Sequence, residues 1–93
     1  MYQGVMKKFQ DKVRNRQYVM TVHAEEEMSD DLLTIFDVEQ GVLTGEIVER
    51  QRDVERKEWK YLIQGRSLDD RRVALTVKLS VTGKMVIITV YAE

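Results

Sequence analysis

Histidine occurs once in this chain, at position 23, and its side chain is the one best suited to proton transfer. Histidine ordinarily titrates near neutrality, so an imidazole can accept and return a proton at cellular pH. Tyr91 is a second candidate, either for handling a proton or for stacking on a base. His23 and Tyr91 are therefore the predicted catalytic residues. The alternative for His23 is structural, because an imidazole beside an acidic helix commonly bonds a carboxylate or the backbone.

Three cations in the C-terminal half, Lys60, Arg66 and Lys78, are predicted to share one face of a sheet with Tyr91. Single-stranded RNA is bound by surfaces of this composition, in which cations meet phosphates and rings stack on bases. We take these three residues as candidate nucleic-acid contacts. Two alternatives remain open: the face is simply solvated, or its apolar members, such as Leu62 and Ile87, mark a protein interface.

Several classes of site are disfavoured by the sequence. It contains no phosphate-binding glycine loop, no metal-ligand spacing and no nucleophile elbow. Cysteine is absent and histidine single, so thiolate and multi-histidine metal sites are excluded. We expect no metal and no cofactor. A small-molecule enzyme is disfavoured because no polar cluster converges on a pocket.

Charge and hydropathy favour a chain that stays in the cytoplasm. No apolar run approaches the ~20 residues that span a bilayer, and no signal peptide opens the sequence. The net charge is -1, yet residues 17–49 contain no Lys or Arg while residues 1–16 are strongly basic. This segregation indicates one surface suited to a polyanion or an acidic partner and another that repels it, unless the charges merely keep a small domain solvated.

Residues 1–93 are predicted to form a single domain whose first half is helical. The spacing of apolar residues predicts an N-terminal helix over residues 2–15, within segment 1–16. In segment 18–45, residues 18–22 are either a short added strand or the lead-in to a helix at residues 23–31. Thr34 and Asp37 predict a capping box for a further helix at residues 35–43, which Gly45 is expected to end. Gly41 inside that helix indicates a short helix or close packing.

Segment 46–93 changes to a period of two and predicts an antiparallel meander of about four strands. The strands are expected at residues 46–51, 59–66, 72–80 and 84–92, with a charged loop at residues 52–58. The last is rich in β-branched residues and should be an interior strand. Centring the final turn on residues 82–83 pairs Leu79 with Val86, Val77 with Ile88 and Leu75 with Val90. The fold class is therefore α+β, with N-terminal helices packed on one sheet face.

The order of several short motifs resembles the bacterial domain-of-unknown-function family 4258. These motifs are His23-Ala24 followed by Met28, Gly45-Glu46-Ile47-Val48, Tyr61-Leu62-Ile63-Gln64-Gly65 and Ile87-Ile88-Thr89-Val90-Tyr91. The resemblance covers the chain from about residue 18 to its C-terminus. It implies likeness to RelE-type and BrnT-type toxins, an endoribonuclease activity directed at RNA, and an antitoxin protein as partner.

Members of that family usually have Arg at the positions of Glu27 and Asp31, so two anions here stand in place of two cations. This exchange reverses the local field at any phosphate that reaches them. A second hypothesis is therefore a protein-binding or oligomerisation module of the same fold without catalysis. Its partner is another protein or a second copy of the chain.

Overall fold

Three helices and a five-stranded sheet make up the computed structural model, which describes residues 2–93. Met1, which the predicted domain 1–93 and helical segment 1–16 include, lies outside the described residues. The helices are α1 (Gln3–Arg14), α2 (Val22–Asp30) and α3 (Ile35–Leu43). The strands are β1 (Tyr18–Met20), β2 (Glu46–Asp53), β3 (Glu58–Arg66), β4 (Arg72–Leu79) and β5 (Met85–Ala92).

The order of the strands is β1-β5-β4-β3-β2, and β2 to β5 form an antiparallel meander. This confirms the α+β class but corrects the sheet of about four strands, because β1 adds a fifth strand parallel to β5. Both alternatives for residues 18–22 hold in part. The strand ends at Met20, and Thr21 caps α2 by accepting a hydrogen bond from the Ala24 N–H at 3.0 Å.

The predicted interior position of the last strand is confirmed, since β5 lies between β1 and β4. Its buried residues and those of β3 and β4, apart from Ala74, face the helices, which matches the expected apolar side. No helix among residues 2–93 has both the length and the apolarity needed to cross a bilayer. The fully buried side chains that join helices and sheet are Phe9, Val38, Val42, Ile63, Val73, Leu75, Val77, Met85, Ile87 and Val90.

The register of the β4–β5 hairpin departs from the predicted one halfway along. Leu75 pairs with Val90 as expected, but Val77 pairs with Ile87 and Leu79 with Met85, each one residue away from the prediction. A β-bulge opposite Thr76 and Val77 inserts an extra residue, Ile88, into β5. Ile87 is therefore the core residue, and Ile88 is only half-buried.

The turns that bound this hairpin and its neighbour also differ from expectation. The β4–β5 turn places Gly83 at φ 85°, the left-handed conformation that completes a three-residue hairpin loop. The loop between β2 and β3 is shorter than the predicted residues 52–58. Arg52 and Asp53 stay in β2, where they pair with Trp59 and Glu58, because their side chains find partners across the ribbon.

The capping box predicted for α3 is confirmed, but the C-terminal end of the helix is not formed by glycine. The Thr34 Oγ1 accepts from the Asp37 N–H at 3.2 Å, and the Asp37 carboxylate accepts from the Thr34 N–H at 2.9 Å. Thr44 is the C-terminal cap, and Gly45 has no positive φ. Gly45 instead permits close packing, since a Cβ there would lie 2.4 Å from the Gly41 carbonyl oxygen. Close packing also explains Gly41, which faces Val73 and Leu75.

Asp37 joins α3 to the β3–β4 turn and makes the stability of the fold depend on pH. Its Oδ1 accepts from the Leu68 N–H at 3.1 Å, and the bond from the Thr34 N–H is the main reason that its pKa is lowered. A carboxyl with a lowered folded pKa stabilises the fold above its unfolded value of about 3.9, and this contribution is lost as pH falls through the folded value.

We therefore expect Asp37→Asn to reduce the free energy of unfolding at pH 7 by about 2 kcal/mol, because one carboxylate oxygen becomes a donor. The difference from the unaltered protein should shrink as the pH falls below 4. Urea unfolding at pH 7 and pH 3 measures both effects. Asp30→Asn, at an exposed position on α2, is the matched control. The expectation would be contradicted if the difference in free energy of unfolding between Asp37→Asn and the unaltered protein were the same at both pH values.

Candidate functional site

His23 lies in the first turn of α2, with its side chain pointing into solvent. The side chain is 67% exposed, and its Nε2 lies 3.3 Å from the Glu27 Oε1, one helical turn further on. The spacing of four residues places the two side chains on the same helix face. The structure therefore gives the only histidine a carboxylate partner while leaving it accessible to a large substrate.

Glu27 and Asp31 bind the backbone of β5. The Glu27 Oε1 accepts from the Val90 N–H at 3.2 Å, and the Asp31 Oδ2 accepts from the Ala92 N–H at 2.8 Å. β1 pairs only with residues 85–87 of β5, so these two amides have no neighbouring strand. The carboxylates replace that strand as hydrogen-bond acceptors. The two anions at the positions where the family resemblance predicts Arg thus have a structural role.

Tyr91 lies on the sheet face that the helices leave uncovered, which we call the open face. It pairs with Ala74 across β4 and β5 and is 41% exposed. The structure does not join the Tyr91 hydroxyl and the His23 imidazole by a hydrogen bond. They share one end of the sheet, because the Glu27 carboxylate that contacts His23 also bonds Val90, the residue before Tyr91.

The three predicted nucleic-acid contacts do not converge. Lys60 and Lys78 lie on the open face at one end of the sheet, and Arg66 lies at the opposite end of β3, about 20 Å from Lys60 along the strand. Each has an acidic neighbour: Lys60 lies 3.8 Å from Asp53, Lys78 2.8 Å from Glu58, and Arg66 3.9 Å from Asp70.

Two cationic clusters were not predicted from the sequence, which singled out Arg66 but none of the residues Arg72, Arg50 and Arg52. Arg72 pairs with Arg66 at the Tyr91 end of the sheet, so two guanidinium groups stand on neighbouring strands there. Arg50 and Arg52 flank Trp59 on the β2–β3 ribbon. The second cluster had a signal in the sequence, since Arg50 and Arg52 are two residues apart and share a strand face.

The described residues offer no evident metal site. Residues 2–93 contain no group of at least three His, Asp or Glu side chains placed to hold an ion. The strongest acidic cluster, around Asp37, Asp69 and Arg71, is used internally. The Arg71 guanidinium donates to the Asp31 and Leu32 carbonyls at 2.9 and 3.0 Å, which ties the end of α2 to the β3–β4 turn.

Three helices on one face of a mixed sheet, with a carboxylate-held histidine at the sheet edge, define a small α+β domain. The chain belongs to the family described as Domain of unknown function (DUF4258), whose model matches residues 20–92. The predicted family membership is thereby confirmed. Neither the curated proteins nor the solved structures gave a match to this chain.

Proposed function

We propose that this protein is a toxin-like endoribonuclease that acts on single-stranded RNA in the cytoplasm and is restrained by an antitoxin protein. The observation that carries the proposal is the pairing of the exposed His23 imidazole with the Glu27 carboxylate, which is itself fixed by the Val90 N–H. A proton acceptor held in one orientation and open to solvent is what RNA cleavage at a surface requires. Likeness to RelE-type and BrnT-type toxins is part of this proposal.

The chemistry assigned to His23 is general-base catalysis. Its imidazole removes the proton of a ribose 2′-hydroxyl, the freed oxygen attacks the adjacent phosphorus, and the bond from phosphorus to the 5′-oxygen breaks. The leaving oxygen takes a proton from a general acid, and the products are a 2′,3′-cyclic phosphate and a 5′-hydroxyl. Tyr91 is assigned to this end of the site, as proton donor or as stacking ring for the neighbouring base.

Phosphate contacts of the RNA on either side of the cleaved bond are assigned to Arg66 and Arg72 in this proposal. Both lie at the Tyr91 end of the sheet, and both side chains are exposed. Glu27 and Asp31 cannot bind phosphate, because their carboxylates are anionic and already bonded to β5. The cations of β3 and β4 thereby take the place of the arginines that the family resemblance predicts on this helix.

Cleavage by the purified chain is the direct test. A 5′-labelled single-stranded RNA should be cut, and each 5′ product should end in a cyclic phosphate that acid opens. Expression in bacteria should arrest growth. The same RNA with 2′-O-methyl groups should stay intact, because it lacks the nucleophile. Intact RNA together with normal growth would overturn the proposal.

A non-catalytic protein-binding module is the second candidate, favoured by apolar side chains on the acidic half of the chain. Phe36 is 60% exposed and Leu32 81% exposed, and both lie within the segment of residues 17–49 that has no Lys or Arg. A basic partner with an apolar stripe would complement this surface. A second copy of the chain is tested by sedimentation: a Phe36-dependent dimer would support self-association, and a monomer at high concentration would exclude it.

A further inference from the structure

Two neighbouring cations on the β2–β3 ribbon differ in their surroundings from the cations of the open face. Lys60, Lys78 and Arg66 each have a carboxylate within salt-bridge distance. Arg50 and Arg52 have none among residues 2–93, although each contacts an aromatic ring. A phosphate that approaches the paired cations must displace an acid, whereas one that approaches Arg50 and Arg52 does not.

Arg50, Arg52 and Trp59 form a stack, which we call the Arg–Trp cluster. The Cζ atoms of Arg50 and Arg52 lie 3.9 and 4.9 Å from the Trp59 ring centroid. Arg52 stands directly across the ribbon from Trp59, and Arg50 pairs with Tyr61, so all three side chains share a face. Trp59 remains 37% exposed as a residue.

Two guanidinium groups held over one ring repel each other, and a bound anion relieves that repulsion. Each planar guanidinium can form paired hydrogen bonds to phosphate oxygens while its face stacks on a ring. An exposed indole is in turn a platform for a nucleobase. Phosphates and unstacked bases together are the chemistry of single-stranded RNA, whereas an acidic peptide offers the anion without the base.

Helix α1 continues the positive surface beside the Arg–Trp cluster. The Arg50 Cζ also lies 5.5 Å from the ring of Tyr2, the residue that caps α1. Lys7, Lys8 and Lys12 are on this helix, and none has a salt-bridge partner among residues 2–93. Asp11, the acidic residue between them, is bonded to Arg14 at 3.2 Å. The cluster therefore adjoins the N-terminal end of a helix that carries three further lysines.

We propose that the Arg–Trp cluster binds single-stranded RNA, with one base stacked at Trp59 and the flanking phosphates at Arg50 and Arg52. This inference rests on the proposed function and deepens it, because it separates the binding surface from the cleavage residues at His23. In this arrangement RNA binds along the ribbon and α1, and its binding does not require the salt-bridged cations of the open face.

The chain has one tryptophan, so its fluorescence reports on this site alone. Titration with a non-cleavable 2′-O-methyl uridine 12-mer should quench Trp59 emission, and anisotropy of the labelled oligonucleotide should give the same affinity. Arg50→Ala/Arg52→Ala should weaken binding about 10-fold or more at low salt and reduce the salt slope by about 1.4. Arg50→Lys/Arg52→Lys keeps both charges and should retain the salt slope.

Arg56→Ala/Lys84→Ala is the matched control, since it also removes two exposed cations, one beside each hairpin turn, and it should bind nearly as the unaltered protein does. Binding without quenching, or equal losses in the two double-alanine variants, would overturn the cluster as the site. A polyglutamate peptide that binds as tightly as RNA would also overturn it. If RNA is cleaved equally well by the Arg50→Ala/Arg52→Ala variant, this inference is refuted and the proposed function stands. If RNA quenches Trp59 emission but is not cleaved, the binding site stands and the proposed function is refuted.

Discussion

Replacing His23 with alanine is expected to lower RNA cleavage by about 10²–10⁴-fold, the range typical of losing a general base. The side chain is largely exposed and its one polar contact is with Glu27 at 3.3 Å, so little stability should be lost. Two measurements separate lost catalysis from lost stability: the rate constant for cleavage at saturating enzyme and the midpoint temperature of thermal unfolding.

Glu27→Gln distinguishes a catalytic His23 from a merely structural one. The amide oxygen can still accept from the Val90 N–H, but the negative charge beside the imidazole is gone. We expect a smaller loss than for His23→Ala, because the imidazole remains but no carboxylate orients it. If His23→Ala cleaves as well as the unaltered protein, the imidazole is not the base and the mechanism fails.

A methyl group on Gly65 is expected to destabilise the fold by about 3 kcal/mol or more, at the upper end for overpacking. A Cβ at Gly65 would lie 1.9 Å from the Gly41 carbonyl oxygen and 3.0 Å from the Gly45 Cα. Both are backbone atoms, so no side-chain rotation relieves the clash. The C-terminal part of α3 would have to move away from β3.

Urea unfolding of Gly65→Ala measures this effect, and Gly4→Ala in α1 is the matched control. No atom lies within 4 Å of a Cβ at Gly4, and alanine is the better helix former. We expect Gly4→Ala to be neutral or to stabilise by up to about 1 kcal/mol. Equal stability of Gly65→Ala and the unaltered protein would show that the crossing of α3 and β3 is not tight.

Local chemistry predicted much of the fold. The Thr34–Asp37 capping box and the alternation of Leu75 and Val77 depend on residues close in sequence, and both were correct. The β-bulge was not predictable, because Ile87 and Ile88 are the same residue type and either satisfies the apolar pattern. The parallel pairing of the three-residue β1 with β5 also has no local signal.

The candidate site was harder to predict than the fold. The sequence pointed to Lys60 and Lys78 by strand periodicity alone, but their acidic neighbours Asp53 and Glu58 come from the ribbon end that was assigned to a loop. The same misplaced loop boundary hid the stack of Arg52 on Trp59. Charge pairing across strands depends on their register. The register of β2 and β3 at this end depends on residues 52–58, which were predicted to be a loop.

The carboxylates of Glu27 and Asp31 also limit how this protein can assemble. They accept hydrogen bonds from the β5 amides that lie beyond β1. The edge of β1 has only three residues with which another strand could pair. Within residues 2–93, the outer side of β2 is the one long margin left unpaired. Two copies paired along β2 would each use this margin, and the pair would then present no second long strand edge for a third copy.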